Sequence, residues 1–242
     1  LFDSEGTKVQ EATSDADGSV VFQQIPYGRY AIRELSAPYG YHPSAQTWEV
    51  TVDGTYQNPI GLLDTVVNED APGRIRILKQ DELDQHVIAG VRFDIYSVDE
   101  AGNAADCVAQ MTTNEQGIAE SPDLFPADYI VMEHAAPTGY EETLWSEKIT
   151  VGMDELVSRT VTNRPIQGVL RIVKTDSETA KGLPGAQFTI TRISGLPSHN
   201  GEGDGEVVAV ITTDENGIAQ TPWLTWGEYE VTETVVPDDY LD

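Results

Sequence analysis

The sequence predicts an all-β protein built of tandem β-sandwich modules of immunoglobulin-like size, and three observations carry that prediction. One segment recurs three times along the 242 residues, with Glu34, Glu133 and Glu233 at equivalent positions 99 and 100 residues apart. That period fits one small sandwich and is too long for a solenoid repeat. Alternating or β-branched runs are broken by Gly-containing turns roughly every 8 to 12 residues, as strands require. No stretch keeps a 3.6-residue period for three turns, so no amphipathic helix is expected.

The repeated elements divide the chain. The first copy of the recurring segment runs from Asp17-Gly18 through Tyr30-Ala31-Ile32-Arg33-Glu34 to Ala37-Pro38-Tyr39-Gly40-Tyr41. The second runs through Tyr129 to Glu133 and ends in Ala136-Pro137-Thr138-Gly139-Tyr140. The third runs through Tyr229 to Glu233 and ends in Pro237-Asp238-Asp239-Tyr240, with an acidic residue where the others have Gly. An opening strand, Arg74 to Asp81, returns as Leu170 to Asp176, which places Lys79 and Lys174 95 residues apart. A closing strand, Thr65 to Asn68, returns 95 residues on as Thr160 to Asn163. Short Pro/Gly linkers follow each closing Asn: Ala71-Pro72-Gly73, and Arg164-Pro165 through Gly168. The expected modules are 1–72, 73–165 and 166–242. Only the middle one is complete; the first lacks its opening Lys strand and the third its closing Asn strand, so the sequence is expected to begin and end inside modules.

Further strands are expected at Trp48 to Val52, Ile149 to Val151 and Val207 to Thr212. His199 to Glu206, polar and Gly-rich, reads as a mobile loop between two strands of the third module. The turns Asp15-Ala16-Asp17-Gly18 and Asp214-Glu215-Asn216-Gly217 read as hairpin turns; neither has the spacing or closing Glu of an EF-hand calcium loop.

Composition narrows the functional classes. A net charge of −27 repels nucleic acid and anionic membranes. At 39% apolar and 8% aromatic residues the chain is too hydrophobic for a disordered acidic tail. No apolar run approaches the ~18 residues that cross a bilayer, so no membrane insertion is expected. Cys107 is the single cysteine, which excludes an internal disulfide and a multi-cysteine zinc site. His42, His86, His134 and His199 share no metal-binding spacing. No metal and no cofactor is expected.

Strand parity gives the main functional clue, because residues two apart share a face. Ile75, Ile77 and Lys79 share one face, with Arg74 and Arg76 on the other; Leu170, Ile172 and Lys174 repeat the pattern. Tyr30, Ile32 and Glu34 share a face, as do Tyr129, Val131 and Glu133, and Tyr229, Val231 and Glu233. Val66 and Asn68, like Val161 and Asn163, point the same way. A Lys, a Glu and an Asn therefore face one core. Desolvation lowers the pKa of a buried Lys and raises that of a buried Glu, which favours both neutral forms. A neutral amine can attack the Asn carbonyl while the protonated carboxyl polarises it and shuttles protons to the departing ammonia. Held by a folded sandwich, such groups reach effective concentrations up to ~10⁵ M or more. The product is a Lys–Asn isopeptide bond, made once, so no turnover enzyme is expected.

Lys-x-Asp on the opening strand, a downstream Ala-Gly-Val-x-Phe (89–93) or Pro-Gly-Ala-x-Phe (184–188), Tyr-x-x-x-Glu-x-x-Ala-Pro-x-Gly-Tyr and a final Val-x-Asn together resemble the Cna B-type domain. This is the SpaA-like, prealbumin-like repeat of Gram-positive collagen adhesins and sortase-assembled pilins. The resemblance covers essentially the whole chain as three copies. It implies Lys79 joined to Asn163 with Glu133 as catalytic acid. It also implies that Glu34 and Asn68 belong to a second bond and that Lys174 and Glu233 belong to a third. The implied function is a stalk or shaft segment of a cell-wall-anchored, extracellular adhesin or pilin. Its partners would be neighbouring modules, with a host ligand held by a tip domain outside this chain. A pull on the termini would pass through the Lys79–Asn163 bond and leave the intervening segment, an 84-residue separation, unloaded.

Cys107 and Gln110 have the spacing of some internal thioesters, but β-branched Val108 between them predicts a strand in place of the tight turn such a bond needs. Trp223 and Trp226 are expected in the core; exposed, they would favour the alternative of a ligand-binding adhesin module that recognises a host protein or glycan.

Overall fold

The computed structural model describes residues 1–54, 65–142, 144–196 and 203–237. Among these there is no α-helix, and no helix long and apolar enough to cross a membrane. The chain divides into two compact units: one of residues 1–74, 123–127 and 150–156, the other of 75–122, 128–149 and 157–242.

The middle repeat is a two-sheet sandwich. One sheet has the order Ser146–Val151, Ala127–Glu133, Arg92–Val98, Ala104–Thr112; the other has Leu156–Asn163, Arg74–Asp81, Ile118–Glu120. Val131 pairs with Ile95, Glu133 with Phe93, and Ile77 with Ala119, all antiparallel. Alternation decides which side chains meet between the sheets: Ile75, Ile77, Phe93, Ile95, Val131, Ile149 and Val161 are buried, while Arg74 and Arg76 point to water. Phe93 meets Trp145 edge to face, with ring centroids 6.0 Å apart.

The third repeat has a sheet of Val207–Thr212, Gln187–Gly195 and Gly227–Val235, plus two short pairs, Arg171–Val173 with Ile218–Gln220 and Gln167–Gly168 with Leu224–Thr225. Its core is Ala186, Phe188, Ile190, Ile211 and Ala219. The first repeat has Phe2–Asp3, Gly28–Arg33 and Thr47–Val52 in one sheet and pairs Tyr41–His42 with Glu69–Asp70.

Four expectations change. Residues 65–68 form no strand and Val66 is exposed. In the middle repeat the closing strand lies beside the Lys strand, a pairing that the first repeat does not show among the described residues. Asp214 to Gly217 is not a hairpin turn, since the strands it joins belong to different sheets. It is an Asx turn, in which the Asp214 carboxylate accepts the N–H groups of Asn216 and Ile218. Asp15 does the same for Asp17 and Ser19, with no strand on either side. Neither Trp223 nor Trp226 is in the core: they are 67% and 44% exposed. Residues 199–202 of the expected loop and the turn residues Asp238, Asp239 and Tyr240 lie outside the described residues. Cys107 does lie in a strand, exposed, with its Sγ 4.0 Å from Gln110 Nε2.

Candidate functional site

The opening strand of the middle repeat buries every second residue, and its fifth and seventh positions after Arg74 bring Lys79 and Asp81 inward as well. Lys79 has no exposed surface; Glu133 and Asn163 are 2% and 3% exposed. Lys79 Nζ lies 3.8 Å from Glu133 Oε1 and donates to the Val161 carbonyl at 3.5 Å. Three strands, two in one sheet and one in the other, thus deliver an amine, an acid and an amide to one dry place.

The electrostatics follow from burial. Desolvation pushes the Lys79 amine down to about 8, against the opposing pull of Glu133 and Asp81. Desolvation pushes the Glu133 carboxyl up, against Lys79 and the Asn163 amide. Both Glu133 oxygens and both side-chain polar atoms of Asn163 are buried without a hydrogen bond of good geometry, although the Asn163 amide lies near enough to Glu133 to oppose its upward shift. An unmade buried hydrogen bond costs about 1–3 kcal/mol per group, so a folded core rarely keeps several together. Four such atoms around a buried amine match the reactants of an amide exchange.

The other predicted residues meet in pairs. Asn68 Nδ2 donates to Glu34 Oε2 at 2.7 Å and to the His42 carbonyl at 2.9 Å, while the Ser44 N–H donates to the same Glu34 oxygen. Lys174 Nζ donates to Glu233 Oε2 at 2.8 Å, but these side chains are 30% and 27% exposed.

Parity followed one step further along Ile75, Ile77 and Lys79 reaches Asp81, whose role the motif alone did not disclose. Asp81 is 2% exposed, and its Oδ1 accepts the N–H groups of Leu83 and, at 3.4 Å, Asp84. Burial, and then Asp81, push the Tyr140 hydroxyl strongly up; that hydroxyl also lies 3.1 Å from His86 Nε2. Ligand atoms of Asp81, Asp84 and His86 come within 4.8 Å of one another, the one metal-capable grouping among the described residues. Sequence spacing of histidines alone had missed it. Asp81 and Tyr140 together tie the Ala-Pro-Thr-Gly-Tyr turn to the loop after the Lys strand.

The fold and these clusters define a tandem β-sandwich protein whose repeats each bring an amine or an amide to a glutamate, wholly buried in the middle repeat. The chain belongs to the SpaA prealbumin-like fold domain family, which matches residues 1–61, 73–165 and 168–242. Its fold is similar to that of the Bacillus anthracis TIE protein, with a TM-score of 0.72 and 26% identity over 94% of this chain and 40% of that one. The chain thus spans well under half of that protein. Matches at lower TM-scores include BcpA, the major pilin subunit of Bacillus cereus (0.43, 17% identity, 98% of this chain and 82% of that one). A streptococcal ancillary pilin matches at 0.37, with 20% identity over 90% of this chain and 69% of that one. No curated protein matches this chain.

Proposed function

We propose that the chain is a load-bearing stalk segment of an extracellular Gram-positive adhesin or pilin, divided into modules at 1–72, 73–165 and 166–242. The middle module is locked by a bond between Lys79 and Asn163. Lys79 Nζ attacks Asn163 Cγ as the Glu133 proton goes to the amide oxygen; the amine's surplus proton then passes by way of the Glu133 carboxylate to the leaving nitrogen, and the proton on oxygen returns to Glu133 as the carbonyl re-forms. One N–C bond forms, one breaks, and ammonia leaves. Glu133 ends protonated as it began, so it is catalytic in a single turnover. Glu34 with Asn68, and Lys174 with Glu233, each bring together two of the three groups that such a bond needs, and neither pair makes the bond by itself. The observation that carries this reading is the set of four atoms of Glu133 and Asn163, without a hydrogen bond of good geometry, around a wholly buried Lys79.

Intact mass tests it. The purified chain should be lighter than its sequence by one ammonia, and Glu133→Ala should have the full sequence mass; a parent at full mass would reduce the site to a buried polar cluster. A second reading, a module that grips a host protein or glycan, draws on the exposed indole of Trp223; titration with host matrix proteins and loss of binding in Trp223→Ala would favour it.

A further inference from the structure

The Ala-Pro-x-Gly-Tyr turn makes two like contacts in each unit: its Gly carbonyl accepts from a linker N–H, and an aromatic side chain lies against that Gly. In the second unit, Ile166 N–H donates to the Gly139 carbonyl at 2.8 Å, and Trp226 N–H donates to the Ile166 carbonyl at 2.9 Å. Gln167 and Gly168 then pair with Thr225 and Leu224. Gly139 has φ +89°, and a Cβ there would lie 2.9 Å from Leu196 and 3.1 Å from Trp226. Leu196 is itself held: its N–H donates to the Trp226 carbonyl at 3.0 Å, and its carbonyl accepts from the Arg192 guanidinium, which is 4% exposed. In the first unit, Ala71 N–H donates to the Gly40 carbonyl at 2.8 Å and Gly73 exchanges hydrogen bonds with Leu124. Gly40 has φ +93°, a Cβ there would run into the Phe125 ring, and Phe125 meets Tyr41 edge to face at 6.0 Å.

We propose that this turn is a socket for the next module, plugged by an aromatic side chain from the edge of that module's Tyr strand: Phe125 for Gly40, and Trp226 with Leu196 for Gly139. The partner it fits is a second module of the same family with a large apolar side chain at that place. Glycine is required because only a bare Cα lets the plug reach the turn and only glycine takes its φ without strain. The linker adds directional hydrogen bonds on one side and the plug adds apolar contact on the other. Two successive modules so joined keep one orientation, where linked domains otherwise move by default. The inference rests on the tandem-module reading but not on the isopeptide bond, since neither Gly139 nor Trp226 touches Lys79.

The test labels Cys107, the single and exposed cysteine, and a second cysteine introduced as Glu215→Cys in an exposed turn, with nitroxides on the full chain. Double electron–electron resonance then reads the distance between the second and third modules. The parent should give one narrow distribution, Trp226→Ala and Gly139→Ala should widen it roughly twofold or more, and Trp223→Ala should leave it narrow. Hydrogen-exchange protection at Ile190 and Ile211 should persist in all variants. A broad parent distribution, widths unchanged by Trp226→Ala and Gly139→Ala, equal widening by Trp223→Ala, or loss of protection in Trp226→Ala would each overturn the proposal. Intact mass on the same samples reports separately on the Lys79 bond.

Discussion

The middle and third repeats carry the same lysine and glutamate at equivalent positions, yet hold them in opposite ways. Lys79 and Glu133 stand 3.8 Å apart in a core that water does not reach, while Lys174 and Glu233 touch at 2.8 Å with more than a quarter of each side chain exposed. Val131 is wholly buried, whereas Val231 at the matching place is 41% exposed. The difference is the closing strand. Leu156–Asn163 lies beside the Lys strand of the middle repeat, and the third has no counterpart of it among the described residues. The pair alone is a part-exposed ion pair; beside the added strand it is wholly buried with an amide at hand, the set that the proposed bond requires.

The largest effect expected from breaking that set is mechanical. Under force the middle module should release no length in the parent, whereas Lys79→Ala should release the loop of 84 residues, about 290 Å at 3.3–3.6 Å per residue. Single-molecule extension reads this directly, and an equal release from parent and variant would remove the distinction between the two repeats.

Next comes stability. By analogy with disulfide loop closure, linking residues that far apart should add about 4 to 5 kcal/mol. Asn163→Ala should therefore lower the middle module's unfolding free energy by that order, measured by denaturant titration with hydrogen-exchange readout at Ile77 and Phe93.

The pH dependence sharpens the comparison. Burial lowers Lys79 to about 8 and raises Glu133. The reactive arrangement, with amine neutral and carboxyl protonated, holds the same single proton as the ion pair. Above about pH 8 the pair loses that proton, and below its lower macroscopic step it gains a second. The rate of bond formation after refolding should therefore be bell-shaped and fall above about pH 8, as timed quenching and intact mass would show. A rate still rising at higher pH would mean that Glu133 is not the acid. Asp81, which also faces Lys79 and favours its charged form, should shift the upper limb down when replaced, as in Asp81→Asn.

The smallest effect belongs to the third repeat. Lys174→Ala removes a part-exposed pair worth about 0–1 kcal/mol, so its unfolding free energy should scarcely move.

Strand parity made much of this legible. Lys79, Glu133 and Asn163 were placed on one inner face because a period of two leaves no freedom once Ile75, Ile77, Val131 and Val161 are buried. What parity did not reveal was which strands would have a neighbour. Thr65 to Asn68 has the right residues for a strand yet forms none among the described residues, and the Lys174 strand shortens to Arg171–Val173. Large aromatics usually pack in cores, which is the expectation for Trp223 and Trp226; instead Trp226 lies over the bare Cα of Gly139, a contact set by the linker and invisible to local pattern. Asp81 lay in plain parity with Lys79, yet its tie to Tyr140 spans 59 residues and needs the folded chain.

The central claim is a covalent one, and peptide sequencing by mass spectrometry meets it most directly. Proteolysis of the intact chain should yield a branched peptide in which the Lys79 segment and the Asn163 segment are joined through their side chains, less one ammonia, while the Lys174 segment is recovered linear. Recovery of separate linear peptides with free Lys79 and Asn163 would contradict the account.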